Sequence, residues 1–263
     1  MKIVYCGDVV SRPGREAVLN NIGTLKEKYS PDILIVNGEN AAHGFGITPG
    51  MCDEFFKNGV DAIVTGNHAF DKSEIIPYMS ECKKIIRPLN FSPLAPGRGF
   101  CEIELLNGKK ILITQIQGRV FMEPMDNPFH TIDGLLKNYI LGKNIHAIFV
   151  DIHAEATSEK LSVGYFLDGR VSAVVGTHTH VPTSDVRILP KGTAYQTDVG
   201  MCGDYESVLG FNPEQPIDRA LGKVNAGRLV PAAEKGTLCG IFVETDDTTG
   251  LAIKVEQIII KPE

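Results

Sequence analysis

Five short apolar runs in this 263-residue chain stop abruptly at side chains able to hold metal ions. They are Cys6-Gly7-Asp8, Asn37-Gly38-Glu39-Asn40, Gly66-Asn67-His68, Asp151-Ile152-His153 and Gly176-Thr177-His178-Thr179-His180. Taken singly, each has a structural explanation. An Asp after a first strand commonly caps a helix or closes a turn, and Gly and Asn tolerate the positive φ that turns require. His178-x-His180 is harder to set aside, because alternate residues of an extended segment point the same way. The repetition is what points to chemistry. Carboxylate and amide oxygens mixed with imidazoles suit divalent ions such as Mn, Fe or Zn and disfavour copper or an iron–sulfur cluster. With Asp8 and Glu39 as the only anionic ligands, two such ions keep a positive excess that attracts a phosphodiester. They also lower the pKa of a shared water and hold the phosphate for in-line displacement. The candidate metal ligands are therefore Asp8, Glu39, Asn40, Asn67, His153, His178 and His180.

His68 follows Asn67 directly, and on extended backbone its ring turns away from the Asn67 side chain, toward substrate. There an imidazole can protonate a departing alkoxide oxygen, a role contributing about 10²–10⁴-fold; the alternative is a further ligand or a structural histidine. His43, in the Gly-rich loop 42–47, is a weaker substrate-contact candidate, and His146 reads as structural. Arg12, Arg98 and Arg119 are solvated surface groups unless the fold brings one of them to the phosphate.

The elements that must position these groups are legible in the apolar pattern. Short Val- and Ile-rich runs at 3–6, 33–36, 62–65, 111–114, 147–150 and 173–175 predict strands buried on both faces. Helical spacing between them predicts helices over 15–28, 49–57, 75–81, 131–141 and 158–167. The last third changes to strands linked by turns, at 186–189, 194–196, 240–244 and 252–260. Asn107-Gly108 predicts a tight hairpin, and the Pro- and Gly-bearing segment 91–100 a surface loop leading into it. The pattern is α/β, and in open α/β sheets the carboxyl ends of the strands line the ligand crevice, where the five clusters would converge. No repeat, low-complexity tract or linker divides the chain, so a single domain over 1–263 is expected.

Composition limits the partners. A formal charge of −6 and a pI near 5.7 oppose binding to long nucleic acid or an anionic membrane, which need a basic face. The six cysteines form no C-x-x-C pair and read as reduced thiols of a cytoplasmic protein. The N-terminus enters an apolar run without a signal-peptide pattern, and no run approaches the roughly 20 apolar residues of a membrane span.

At Gly7-Asp8, Gly66-Asn67-His68, His153 and Gly176-x-His178-x-His180 the sequence resembles the calcineurin-like metallophosphoesterase superfamily. It departs from that pattern where Val10 replaces the first-motif His, where Gly38-Glu39-Asn40 replaces the second Gly-Asp, and where Ala69 follows His68. The first two departures, with Asn37-Gly38-Glu39-Asn40-Ala41-Ala42 and Tyr195-Gln196-Thr197-Asp198-Val199-Gly200-Met201, are similar to the narrower YmdB-like phosphodiesterases of bacteria, across essentially the whole chain. The resemblance implies a four-layer α-β-β-α sandwich with mixed sheets. It implies a bridging Glu39, with Asp8, Asn40 and His180 completing one metal site and Asn67, His153 and His178 the other. It further implies iron as the metal, activity on 2′,3′-cyclic nucleotides by attack of a metal-bound hydroxide with His68 as proton donor, and a homo-oligomer.

Two other functions compete: a phosphomonoesterase or protein phosphatase on the same centre, and a nucleotide-sensing regulator with little turnover. The complete ligand set disfavours the regulator, since a pure binder has little need of two metal sites and a proton donor. A metal-free nucleotide-binding protein is weaker still, because residues 7–14 lack the G-x-G-x-x-G order and a P-loop lysine.

Overall fold

The computed structural model describes residues 1–262. In chain order its first half contains β1 (Lys2–Cys6), β2 (Asp8–Val9), α1 (Ser11–Tyr29), β3 (Ile33–Asn37), α2 (Pro49–Lys57), β4 (Ala62–Val64), α3 (Ile75–Glu81), β5 (Ile85–Ile86), β6 (Phe100–Glu104) and β7 (Lys110–Gln117). The second half contains α4 (Pro128–Leu136), β8 (Ala147–His153), α5 (Thr157–Leu167), β9 (Ala173–Thr177), β10 (Arg187–Ile188), β11 (Ala194–Gln196), β12 (Met201–Cys202), α6 (Glu214–Ala220), β13 (Leu238–Thr245) and β14 (Ala252–Ile260).

Two mixed sheets form, in the orders β14-β13-β1-β3-β4-β5 and β10-β11-β9-β8-β7-β6. Alternation along each strand decides what lies on either side. Ile3 and Tyr5 of β1, Ile33 and Ile35 of β3, Phe149 of β8 and Val175 of β9 meet in a core between the sheets. Val4, Cys6, Leu34 and Val36 point the other way, against Val18, Leu25 and Phe55 of α1 and α2. On the far face Ile148, Val150 and Val174 pack against Ile132 of α4 and Val163 of α5. Strands covered on both faces must be apolar at every position, which is why they read as unbroken runs. The result is the four-layer sandwich of the metallophosphoesterase type, helices outside two sheets.

Within each sheet the central strands run parallel: β1, β3, β4 and β5 in one, β7, β8, β9 and β11 in the other. Their carboxyl ends therefore share an edge. The hairpin is present, with β6 and β7 antiparallel and Gly108 at φ 78, as is the loop over 91–100 before it. Helix α4 begins and ends earlier than its apolar spacing predicts. Asn127 caps it, accepting from the amides of Phe129 and His130, and Pro128 pre-sets its first turn. After it, Asn144 accepts from the Ile140 amide and donates to the Asn138 carbonyl, holding that stretch in a turn. Four short elements escape the sequence pattern: β2 and β12, which pair in parallel over two residues, the two-residue β5, and helix α6. All six cysteines are free, and all but Cys82 are buried.

Candidate active site

Each predicted ligand sits at or just beyond a strand's carboxyl end. Asp8 follows β1, Glu39 and Asn40 follow β3, Asn67 follows β4, His153 ends β8, and His178 and His180 follow β9. Contacts link them into one cluster. His153 Nε2 lies 3.0 Å from Glu39 Oε2, 2.9 Å from Asn67 Oδ1 and 3.1 Å from His178 Nδ1. Asn40 Nδ2 lies 3.2 Å from His180 Nε2, and the His178 amide donates to Asp8 Oδ2 at 2.9 Å. Asn37 donates to the other Asp8 oxygen.

The sequence argument for the histidine pair requires correction. His178 and His180 do not alternate along extended backbone; β9 ends at Thr177, and the two residues take φ 95 and φ 64. This left-handed backbone is strained for residues bearing a Cβ and persists where the surroundings hold it, as at functional sites. What holds it is Asp198, whose Oδ2 accepts from the Thr179 amide (3.1 Å) and hydroxyl (2.7 Å) and from Lys160 Nζ (2.8 Å). Oδ1 of the same carboxylate accepts from the Gly200 amide.

Each imidazole has its outer nitrogen engaged. His153 Nδ1 donates to Thr177 Oγ1 (2.8 Å), whose hydroxyl donates to Asp151 Oδ1 (2.7 Å), and Asp151 Oδ2 accepts from Tyr5 and Gln115. His178 Nε2 faces the Glu155 carboxylate at 3.3 Å, and His180 Nδ1 donates to the Leu209 carbonyl at 3.0 Å. These partners select the tautomers that aim His153 Nε2, His178 Nδ1 and His180 Nε2 inward as lone pairs, the arrangement that orients histidine ligands around a metal.

Lone pairs converging on buried oxygens repel one another unless a cation lies among them. Glu39 Oε2 and Asn40 Oδ1 are buried without a hydrogen-bond partner, a costly arrangement for isolated polar atoms. Candidate ligand atoms of Glu39, His153 and His178 fall within 4.8 Å of one another. Burial pushes the Glu39 carboxyl up to about 7 and the Asp8 carboxyl well above its ordinary range, the latter raised further by Glu39. Burial also lowers His153 to about 4 and His178 to about 3, so both rings are neutral at physiological pH. Neutral imidazoles facing carboxylates that resist ionisation make a donor set that divalent cations fit. Gly66, at φ 58, keeps space for it, since a Cβ there would lie 2.4 Å from Glu39 Cδ.

His68 is not on extended backbone; it lies in the turn after Gly66, its amide donating to Glu39 Oε1 at 3.3 Å. Its Nδ1 is 2.8 Å from Asp71 Oδ2 and its ring meets Phe45 edge-on at 5.0 Å. The side chain lines a cavity of about 440 Å³ with Glu39, His178 and His180. The opposite wall comes from residues that sequence reasoning missed, notably Phe211, Leu209 and Arg219, along with Phe45 of the Gly-rich loop. Phe45 and Phe211 lie 5.5 Å apart, and the Phe211 ring covers Gly44, where a Cβ would lie 2.7 Å away. His43 is exposed and does not line this cavity; nor do Arg12, Arg98 or Arg119.

Fold and site together define the class, an enzyme of the metallophosphoesterase type. The model of the family described as YmdB-like protein matches residues 4–258, and the chain belongs to that family. It is 46% identical to a Bacillus subtilis (strain 168) protein named 2′,3′-cyclic-nucleotide 2′-phosphodiesterase, over all of this chain and 98% of that one. A crystal structure of a protein from Thermus thermophilus superposes with a TM-score of 0.91 at 39% identity, covering 100% of both chains. That of a phosphatase from Mycoplasma pneumoniae superposes at 0.92 and 37% identity, covering 99% of this chain and 93% of the other. Among the described residues no helix is long and apolar enough to cross a membrane.

Proposed function

We propose that this chain is a dinuclear-metal phosphodiesterase acting as a single domain on small phosphodiesters, with 2′,3′-cyclic nucleotides the favoured class. The observation that carries the reading is the convergence of the His153 and His178 lone pairs with the unpartnered, buried Glu39 Oε2, candidate ligand atoms that lie within 4.8 Å of one another. The name of the 46% identical Bacillus relative supports the substrate class. Glu39 would be shared between the ions, with Asp8, Asn40 and His180 on one side and Asn67, His153 and His178 on the other. Iron is the favoured metal by family, with manganese or zinc as alternatives. When bound, the ions supply Lewis acidity toward phosphoryl oxygens and activate water.

The chain's own residues do the rest. Asp71 engages His68 Nδ1, so Nε2 is the ring atom left to give a proton to the departing ribose oxygen. Phe45 and Phe211 offer an apolar wall beside the phosphate site, suited to the face of a nucleobase. The Leu209 carbonyl ties that wall to His180. A cytoplasmic homo-oligomer is the expected setting, with neither long nucleic acid nor membrane as partner, in keeping with the charge of −6.

The test is His68→Ala with metal content measured alongside turnover. A fall of about 10²–10⁴-fold in kcat at unchanged metal content is expected; loss of metal would end the donor assignment. Parallel assays on a cyclic nucleotide, a mononucleotide and a phosphopeptide separate this reading from a phosphatase.

A further inference from the structure

A 2′,3′-cyclic nucleotide carries both ester oxygens on one ribose, so it needs one walled compartment beside the phosphate site. The protein has two. Beyond the cavity walled by Phe45 and Phe211 lies a second, of about 490 Å³, which shares His68 and His178 with the first. These two residues, the proposed proton donor His68 and the candidate ligand His178, stand at the junction.

Phe121 and Met122 wall the second compartment. Phe121 is 90% exposed and holds φ 62, a conformation uncommon for a residue with a bulky side chain. An aromatic ring left in water on strained backbone at the rim of an active site needs an explanation, since strain of this kind clusters at ligand clamps. The loop bearing it is anchored at its start. The Gly118 amide donates to the His153 carbonyl at 2.9 Å, and the Arg119 and Val120 amides donate to the Glu159 carboxylate. Gly118 itself is packed so closely that a Cβ would lie 2.4 Å from Glu159 Oε2. Each compartment wall is thus tied to a histidine of the centre: Phe211's segment through Leu209 to His180, Phe121's through Gly118 to His153.

We infer that the site also hydrolyses linear phosphodiesters of dinucleoside size, an inference that rests on the phosphodiesterase reading above. One base stacks on the Phe45 and Phe211 wall, the phosphate sits at the junction, and the second base stacks on Phe121. Base stacking on aromatic rings is tolerant of sequence. A water oxygen forms the new bond to phosphorus and its proton passes to solvent. The bond from phosphorus to the second nucleoside's oxygen breaks, and that oxygen takes a proton from His68. The products are a nucleoside monophosphate and a free nucleoside, with one water consumed. Asp71 and Glu123 line the second compartment, and their carboxylates repel a further phosphate. This limits the substrate to one linkage and assigns the uncharged product to that side.

The experiment uses the metal-loaded full chain with 2′,3′-cyclic AMP, the linear dinucleoside monophosphate ApA, and ApA bearing a 5′-phosphate. ApA should be cleaved, and more slowly when it carries the extra phosphate. Phe121→Ala should lower the ratio of kcat/KM for ApA to that for the cyclic nucleotide about tenfold, whereas Phe211→Leu should lower both and keep the ratio. Calorimetric binding of a methylphosphonate-linked ApA, which is not hydrolysed, should weaken about tenfold in Phe121→Ala. Cleavage of the cyclic nucleotide without cleavage of ApA overturns the inference, as does an unchanged ratio in Phe121→Ala. Cleavage of neither overturns the phosphodiesterase reading itself.

Discussion

Replacing Lys160 by Met tests whether the histidine-bearing turn is held electrostatically from behind. Lys160 Nζ and Asp198 Oδ2 lie 2.8 Å apart, with side chains 1% and 0% exposed. Removing the cation alone leaves a carboxylate buried without a counter-charge, which typically costs about 3–5 kcal/mol. Asp198 keeps three other donors, the Thr179 amide and hydroxyl and the Gly200 amide, so the lower end applies. For a chain of this size, about 3 kcal/mol corresponds to a Tm lower by roughly 6–12 °C. The effect should not stop at stability. Thr179 stands between His178 and His180, whose backbone at φ 95 and φ 64 relaxes once Asp198 shifts. Loss of such an outer partner typically weakens metal binding about 10–100-fold. Differential scanning calorimetry on the metal-free protein and a chelator competition titration give the two numbers. A Tm within about 2 °C of wild type, or a lowered Tm with unchanged metal affinity, would refute the clamp.

Metal affinity should depend on pH in a direction that the buried carboxyls dictate. Glu39, raised from 4.5 to about 7, and Asp8, raised well above its ordinary range, must both lose their protons when cations bind, so affinity rises with pH through about 7. His153 and His178, at about 4 and about 3, are already neutral and add nothing to the slope above about pH 5. Calorimetry in buffers of different ionisation enthalpy should find proton release on metal binding at about pH 6; affinity falling with rising pH would contradict this. The same shift acts on the metal-free fold. Because the folded state holds this proton more tightly, the stability Glu39 contributes is full below about 4.5 and gone above about 7. Gly66→Ala should abolish metal binding while the protein still folds, because the added Cβ would meet the Glu39 carboxylate at 2.4 Å; normal metal content by mass spectrometry would count against the placement of Glu39.

The strands and the clustering of the candidate ligands at their ends were legible because both follow from local patterning. Ile33–Asn37 and Ala147–His153 are buried at every position, so residues 33–36 and 147–150 run without a polar residue before the clusters begin. What stayed hidden depends on contacts distant in sequence. Asp198 acts on His178 and His180 through Thr179, and Asp151 on His153 through Thr177. Neither lies in a spacing that marks it as a partner. Phe211 and Arg219 belong to a stretch without strong periodicity, and only folding brings it over the site. The Asn127 cap, an Asn immediately before Pro128, was a readable signal for the start of α4 that apolar spacing alone outweighed. The histidine pair reaches the cluster by another geometry than its spacing suggested, since a turn rather than a strand brings the rings there.

Anomalous diffraction from crystals of protein loaded with iron or manganese tests the central claim most directly. Two peaks on either side of the Glu39 carboxylate are expected, one contacted by Asp8, Asn40 and His180 and the other by Asn67, His153 and His178. A single peak, or peaks away from Glu39, would contradict it.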